Sequence, residues 1–255
     1  MYTVKNYIDI TLVLIAKDFK IKYKNTLLGY VWAIGYPLVF AAILYVAFQR
    51  IIRIKVDNYG LFLIVGIFPW QWFANAINLS TGTLITNASI IKKILFPKLL
   101  LPLSTVLIEM VHFAISWIVI IVFLFIYDQQ IFYLSWVYGV PLIAGIQLAL
   151  IFGIGLTVSS LNIFFRDTER IMSIMITMLF YLTPVIFPLN MVPENFILYF
   201  YLNPMTGIVE LWRALFLEGL VLWRWLGISA VYATLSLLVG SILYQRLKGK
   251  FAEAL

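Results

Sequence analysis

Long apolar stretches separated by short charged turns dominate this sequence. We predict a membrane-spanning helix for each stretch, because a helix needs ~20 apolar residues to cross a bilayer. The six predicted spans cover residues 30–50, 61–84, 101–127, 135–161, 171–188 and 225–245. Six spans place both ends of the chain on the same side of the membrane.

The first 26 residues show a different, amphipathic pattern. Apolar side chains recur at helical spacing, and lysines occupy mainly the other side. The apolar positions are Val4, Ile8, Leu12, Ile15 and Phe19. This pattern predicts a helix that lies in the plane of the lipid headgroups. The alternative is an ordinary solvated helix at the N-terminus.

The segment between the fifth and sixth spans is apolar but repeatedly interrupted. Prolines and glycines break it between residues 188 and 219, and it carries Glu194, Glu210 and Arg213. Such breaks are tolerated at membrane depth only where neighbouring protein shields the backbone. We therefore predict short re-entrant helices here.

Composition supports a single all-α membrane domain over residues 1–255. Hydrophobic residues make up 64% and charged residues 11%, whereas a soluble domain carries roughly 25% charged residues. The mean hydropathy is +1.02. The chain has no cysteine and one histidine, which argues against thiolate or histidine metal sites. No nucleic-acid-binding motif is present.

The net charge of +7 is better explained by membrane orientation and anionic lipids than by nucleic acid. With both termini inside, 13 of the 18 basic residues lie on the cytoplasmic side. The positive-inside rule therefore favours cytoplasmic termini, with residues 246–255 as a cytoplasmic tail. The basic residues of loop 50–55 do not fit this rule.

Two predicted cytoplasmic turns concentrate charge. NIFFRDTERI (residues 162–171) carries Arg166, Asp167, Glu169 and Arg170, and the turn after the second span carries Lys92 and Lys93. Each turn has the length of a short surface helix, and mixed charge on such a helix sets the register and choice of a partner. The alternative is a solvated turn whose charges pair locally.

Several stretches together resemble the permease subunits of ABC-2 type exporters. They are YKNTLLGYVWAIGYPL (23–38), IKKILFPKLLLPLS (91–104), LNIFFRDTERI (161–171), TPVIFP (183–188) and NPMTGIVELWR (203–213). Within that group the chain is similar to the branch that exports O-antigen, teichoic acid and capsule polysaccharides. The resemblance covers essentially the full length.

The resemblance implies the permease half of a polysaccharide exporter in the cytoplasmic (inner) membrane. The permease would be a homodimer bound to two copies of an ABC ATPase, which would bind ATP and Mg. The N-terminal helix would form an entry gate for the lipid-linked end, and the re-entrant helices an outer gate with Glu194, Glu210 and Arg213. The residues implied to contact the ATPase are Arg166, Asp167, Glu169, Arg170, Lys92 and Lys93.

The chain itself carries no nucleotide-binding motif. Gly249-Lys250 is followed by Phe251 and lacks the glycine and the Ser or Thr of a P-loop. We therefore expect a permease that is not an enzyme, with no cofactor of its own.

Three sets of residues are candidates for a substrate channel. An aromatic stripe in the first span would let sugar rings stack and slide. Polar side chains in the second span avoid lipid and point into protein or a watery path. Flexible methionines in the fifth span suit a gate that repacks. The candidates are Trp32, Tyr36 and Phe40; Gln71 and Asn75; and Met172, Met175 and Met178. Ordinary helix packing explains each set as well.

Glu109 and His112 are an ionisable pair inside the third span, three residues apart on one helix face. A proton relay is one interpretation, and a hydrogen bond to each other or to a neighbouring helix is the simpler one. Three other functions remain open: an exporter of drugs or small lipids, an ion-coupled secondary transporter, and a membrane glycosyl- or acyltransferase. Among these functions, only export of a glycan predicts that replacing the aromatic stripe impairs transport.

Overall fold

The computed structural model describes residues 4–23, 31–94, 96–130 and 132–254, with the side chains of 4–5, 21–23, 31–34 and 252 left aside. Within these ranges the regular structure is helical. The α-helices are α1 (Val4–Tyr23), α2 (Val31–Tyr45), α3 (Tyr59–Thr86), α4 (Ala88–Lys93), α5 (Leu100–Ile126), α6 (Trp136–Asn162), α7 (Thr168–Tyr181), α8 (Glu194–Leu202), α9 (Pro204–Arg213), α10 (Trp223–Leu247) and α11 (Phe251–Ala254).

Four helices among the described residues are long and apolar enough to cross a membrane. They are α3, α5, α6 and α10, the last extended by a 3-10 turn to Lys250. Each overlaps one of the predicted spans and differs from it by only a few residues at either end. The sequence prediction is therefore confirmed for the second, third, fourth and sixth spans.

The first and fifth predicted spans correspond to shorter helices. α2 contains Pro37 and continues as a π-helix, Val46–Ile51. α7 has 14 residues, which at 1.5 Å per residue is about 21 Å, less than the ~30 Å of a hydrocarbon core. It ends at Tyr181, and the turn 182–188 follows. The six-span topology is therefore taken up below as a proposal.

α3 is the central helix of the bundle. It packs against α2, α5, α6, α7 and α9, and most of its side chains are buried. The exposed positions lie in its second half, at Asn75, Asn78, Leu79 and Thr86. The position of α3 explains why its two ends, at Tyr59 and Thr86, organise the sites described below.

The N-terminal helix packs on the bundle through a different face from the predicted one. α1 lies along α5 with Leu14 buried, while Ile8 and Leu12 of the predicted apolar stripe are 54% and 57% exposed. The Lys17 ammonium donates a hydrogen bond to Oδ1 of Asn87 (2.7 Å) and so ties α1 to the end of α3. Ile8 and Leu12 therefore remain uncovered by the described part of this chain, whereas Phe19 of the same stripe stacks on His112 of α5, with 5.7 Å between ring centres.

Helices α6 and α10 form the closest helix pair. At their crossing, a Cβ atom added to Gly153 would overlap the backbone of Ser236, and one added to Gly240 would overlap the carbonyl oxygen of Gly153. Small residues allow the backbones of two helices to approach this closely. Within a lipid bilayer there is no hydrophobic force between helices, so close packing drives their association instead.

We predict that Gly153→Ala separates α6 from α10 and destabilises the fold by about 1–3 kcal/mol, the usual cost of overpacking. The measurement is the thermal unfolding temperature of the purified protein in detergent. Gly145→Ala in the same helix is the matched control, because a Cβ atom there meets nothing within 4 Å. Equal unfolding temperatures for the two variants would contradict the prediction.

Candidate functional site

A buried arginine organises the end of the bundle that contains the short helices α8 and α9. Arg213, the last residue of α9, is 5% exposed. Its guanidinium donates hydrogen bonds to the carbonyl oxygens of Pro184 and Val185 (2.6 Å to Val185) and to Oε1 of Glu210 (3.2 Å). One side chain therefore holds the turn after α7 against α9.

The surroundings of Arg213 compensate for burying its charge. Arginine stays protonated in proteins, so its charge must be met by acceptors or by an aromatic face. The guanidinium carbon lies 3.6 Å from the ring centre of Phe62, a cation–π arrangement. Gly66 makes room for it, since a Cβ atom there would lie 2.6 Å from Nη2 of Arg213.

Side chains from α3 and α9 bind the rest of this turn. The Tyr59 hydroxyl donates to the carbonyl oxygen of Ile186 (2.8 Å). Nδ2 of Asn203 donates to the carbonyl oxygen of Leu182 (3.0 Å) and to Oγ1 of Thr183 (2.8 Å). The Oδ1 atom of Asn203 accepts from the Met205 amide and caps α9. The turn 182–186 is thus held at both ends.

Of the three predicted gate residues, the structure brings two together. Glu210 and Arg213 form an ion pair at 3.2 Å, whereas Glu194 is exposed at the start of α8. Sequence reasoning missed Tyr59 and Asn203 as residues that bind this turn. The Asn-Pro step at 203–204 carried a usable signal, because Asn at the N-cap followed by Pro is typical of a helix start.

The aromatic stripe in α2 is partly exposed and partly packed. Tyr36 is 60% exposed, and its ring stacks with that of Phe40, with 6.4 Å between centres. Phe40 in turn packs on Phe180 of α7, which contacts Trp70 of α3, both at 5.6 Å. Trp32 lies in α2, but its side chain is outside the described residues.

The predicted methionines lie on α7, most of whose surface is uncovered. Met175 and Met178 are 47% and 62% exposed, and Met172 is half-buried and packs against the core. The buried positions of this helix are Ile176 and Phe180. The methionines and Tyr36 therefore share one feature, an exposed apolar surface on the two short helices.

Gln71 and Asn75 line a cavity to which neither Tyr36 nor Phe40 of the aromatic stripe contributes. They line a small cavity of about 30 Å³ together with Glu109 and His112 of α5. Nδ1 of His112 lies 3.3 Å from Oε1 of Glu109, so the two residues of the predicted pair contact each other. Pro37 of α2 also lines this cavity.

The two predicted contact turns differ in structure. Lys92 and Lys93 end the short helix α4, as expected, and both are exposed. Residues 163–167 form a turn instead of a separate surface helix, because α7 begins at Thr168 and takes Glu169 and Arg170 into its first turn.

The predicted contact residues of the second turn are solvent-accessible. Arg166, Asp167, Glu169 and Arg170 are all exposed, and none of them forms an ion pair with another described residue. Local pairing of these charges, the alternative interpretation, is therefore not seen in the described part of the chain.

The C-terminal helix joins these turns into one surface, here called the charged end (residues 87–99, 163–170 and 246–254). Phe251 is fully buried and contacts the rings of Phe164 (6.4 Å) and Tyr244 (5.7 Å). The Lys98 ammonium lies 5.9 Å from the Phe251 ring centre. Phe251 thus connects the segment after α4 with the segment after α6.

Comparison with known proteins decides the family. The ABC-2 type transporter family matches residues 10–217, most of the chain. The chain belongs to the ABC-2 type transporter family. Members are permeases that work with an ABC ATPase, so this permease is expected to bind such a subunit.

Relatives of this ABC-2 permease are proteins of polysaccharide export. It is 41% identical over 254 residues to an O-antigen export system permease protein of Klebsiella pneumoniae, covering 100% of this chain and 98% of the relative. It is 26% identical to one of Myxococcus xanthus, covering 83% and 82%. It is 23% identical to a polysialic acid transport protein of Escherichia coli, covering 91% of each.

We predict that Arg213→Lys destabilises this permease, because an ammonium cannot reach two carbonyl oxygens and a carboxylate in the same fork geometry. Loss of even one hydrogen bond to a charged group costs ~1.5–3 kcal/mol. The measurement is thermal unfolding in detergent. Arg224→Lys is the control, since Arg224 is exposed and only lies near the Tyr201 ring. An unfolding temperature equal to that of the native protein would refute the assigned role.

Proposed function

We propose that this permease is the transmembrane subunit of an ATP-driven exporter that moves a lipid-linked polysaccharide, of the O-antigen type, across the cytoplasmic membrane. The observation that carries the proposal is the full-length similarity to an O-antigen export permease, at 41% identity. The helical bundle supports it, because four of its helices suit a bilayer.

The proposed topology has six membrane crossings and cytoplasmic termini. α2 with its π-helical extension, and α7 with the turn 182–188, supply the first and fifth crossings. Both crossings are short or irregular, which membranes tolerate where the backbone is bound by protein. The hydrogen bonds from Arg213, Tyr59 and Asn203 to the turn after α7 meet this requirement. The charged end then faces the cytoplasm, as the positive-inside rule favours.

The charged end is the proposed contact with the ATPase. Its exposed charges are of both signs at 166–170 and basic at 92–93, and charge complementarity selects a partner and its register. Two permeases would bind two ATPase copies, which hold ATP and Mg. α1, on which Ile8 and Leu12 stay exposed, would lie at the inner membrane surface as the entry gate.

α7 is the proposed mechanical link between the ATPase and the outer gate. Arg170 lies in its first turn, and the turn that follows its last residue is the one bound by Arg213. A 14-residue helix transmits displacement over about 21 Å. Movement of the charged turn would therefore shift the turn 182–186, with Glu210 and Arg213 as gate residues.

The exposed surfaces of α2 and α7 are the proposed homodimer interface and channel wall. Tyr36, Met175 and Met178 present apolar side chains there. Sugar rings stack on an aromatic face without fixed hydrogen-bond geometry, which lets a polymer slide. Gln71 and Asn75 line a separate cavity with Glu109 and His112 and are not part of this proposed wall.

The experiment that tests the contact is co-purification with the cognate ATPase. We compare the native permease with a variant that carries Arg166→Asp and Asp167→Arg. We expect the variant to recover about tenfold less ATPase, equivalent to ~1.4 kcal/mol, because the exchange reverses the charge pattern and leaves the net charge unchanged.

The control exchanges Arg53→Asp and Asp57→Arg, two exposed residues of the proposed external loop. Its ATPase yield should equal that of the native permease. If the native permease captures no ATPase, the proposed function is wrong. If both exchanges reduce the yield equally, the charged turn is not the contact.

A further inference from the structure

The basic loop 50–55 has no part in the proposed function. Arg50, Arg53 and Lys55 are exposed, and none of them forms an ion pair with another described residue. Together with Asp57 they give residues 50–58 a net charge of +2. The proposed topology places this loop outside, where the positive-inside rule disfavours basic residues. Basic residues retained there despite the rule indicate that the loop binds an anion.

Backbone hydrogen bonds hold this loop against the π-helix that follows α2. The amide of Ile52 donates to the carbonyl oxygen of Ala47, and the amide of Ile54 donates to the carbonyl oxygen of Phe48, each at 3.0 Å. Between them, Arg53 has a φ of 62°, in the left-handed region that residues with a Cβ atom adopt uncommonly. The basic side chains are therefore carried by a defined turn.

An apolar cavity lies next to this turn, between α2, α3 and α5. It has a volume of about 230 Å³. Its lining residues are Leu38, Ala41, Ala42, Tyr45, Gly60, Ile64, Phe123 and Tyr127. Apart from the hydroxyl groups of Tyr45 and Tyr127, the side chains of this lining are hydrocarbon. Such a lining suits an alkyl chain, which has no polar group that burial would leave unpaired.

Tyr45 connects this cavity to the basic loop. The guanidinium carbon of Arg50 lies 5.9 Å from the centre of the Tyr45 ring. The Tyr127 hydroxyl lies against α3, where a Cβ atom added to Gly60 would be 2.6 Å from its oxygen. Tyrosine hydroxyls and a guanidinium all donate hydrogen bonds, so this edge of the cavity suits a phosphate group. One molecule with an anionic headgroup and an apolar chain therefore fits both features.

The cavity lies on the opposite side of α2 from the proposed channel wall. The four α2 residues in its lining, at positions 38, 41, 42 and 45, have the spacing of one helix face. Tyr36 precedes Tyr45 by nine residues, about two and a half helical turns, so the two side chains leave the helix on opposite sides. A ligand in this cavity is therefore separate from the proposed glycan path.

Exposed apolar side chains of α5 lie beside the cavity. Phe123 lines it, and its neighbours Val122, Phe125 and Ile126 are 49%, 72% and 64% exposed. In a helix that crosses a bilayer, an exposed surface of this composition faces lipid. A ligand thus enters the cavity from the lipid phase, which favours a phospholipid of the membrane over the lipid carrier of the exported chain.

We propose that this cavity and the basic loop together bind one anionic phospholipid, with its phosphate at Arg50 and an acyl chain between α2, α3 and α5. The inference rests on the proposed function only for the leaflet, which is the outer one. The ring of Tyr45 lies 6.3 Å from that of Tyr59, whose hydroxyl donates to the carbonyl oxygen of Ile186. The bound lipid therefore supports the side chain that holds the turn 182–186.

The test uses the absence of cysteine from the chain. Ala42→Cys, at an exposed lining position, is introduced into the permease, which is purified with its ATPase in detergent and freed of lipid. The rate of modification by N-ethylmaleimide is then followed on the permease. The probes are dioleoylphosphatidylglycerol, dioleoylphosphatidylcholine with the same chains and no net charge, geranylgeranyl phosphate as an isoprenoid phosphate, and inorganic phosphate.

We expect phosphatidylglycerol to slow modification several-fold and saturably, and the other three probes to protect far less at the same concentration. Arg50→Gln in the same background should raise the half-protecting concentration of phosphatidylglycerol several-fold. Arg224→Gln is the matched control and should leave it unchanged. Arg224 is also an exposed arginine near a tyrosine ring, that of Tyr201, which does not line this cavity.

A second cysteine position controls for general coating of the permease by lipid. Ala114→Cys on α5 is exposed and outside the cavity lining. Its modification should be slowed equally by phosphatidylglycerol and phosphatidylcholine. If Ala42→Cys fails to assemble, Leu38→Cys, at a half-buried lining position, takes its place.

No protection by phosphatidylglycerol, equal protection by phosphatidylcholine, or unchanged protection in Arg50→Gln overturns the lipid site. Protection by geranylgeranyl phosphate at a lower concentration than phosphatidylglycerol overturns the choice of a membrane phospholipid. These results leave the proposed function intact if the native permease still captures its ATPase. Conversely, loss of ATPase capture by the native permease refutes the proposed function, and labelling of the permease alone still reports on the lipid site.

Discussion

A buried positive charge at Arg213 is the constraint on which the end of this bundle that contains α8 and α9 depends. A guanidinium in a low-dielectric interior needs acceptors, and Nη1 and Nη2 of Arg213 find them in the turn after α7 and in Glu210, with the ring of Phe62 beside the guanidinium. The backbone carbonyls of that turn need donors for the same reason. Gly66 is required because a larger residue on α3 would occupy the space of the guanidinium.

The same arrangement connects the two ends of the bundle. The chain passes from the exposed charges at 166–170 through α7 directly into the turn that Arg213 binds. Ile176 and Phe180 are the buried residues of α7, and Met172 and Leu179 also pack against the core. The helix joins a turn held by hydrogen bonds to an exposed charged turn, and the proposed link between the ATPase and the gate rests on this connection.

Hydropathy alone was enough to predict the four long helices. Most residues of such a helix face either lipid or the protein interior, so most of them are apolar. Hydropathy overestimated the fifth span, since the apolar residues 182–188 continue the pattern of α7 although Pro184 disfavours a helical residue before it. The contact face of α1 was also missed, because Leu14 lies off the apolar stripe. Pairings between distant residues, such as Tyr59 with Ile186, leave no periodic signal. The polar positions of α3 were recognised, but the hydrogen bond from Lys17 of α1 to Asn87 at the end of α3 depends on tertiary packing.

The measurement that tests this account most directly is ATP-dependent export in inverted membrane vesicles that contain the permease and its ATPase. Lipid-linked glycan on the outside should enter the lumen when ATP is added. Tyr36→Ala should abolish this uptake while ATPase capture persists. Tyr138→Ala should leave uptake unchanged, and Tyr138 is a matched control because it is a tyrosine on α6 that is 51% exposed, against 60% for Tyr36. Absence of ATP-dependent glycan uptake by the native complex, or full uptake by Tyr36→Ala, would contradict the account.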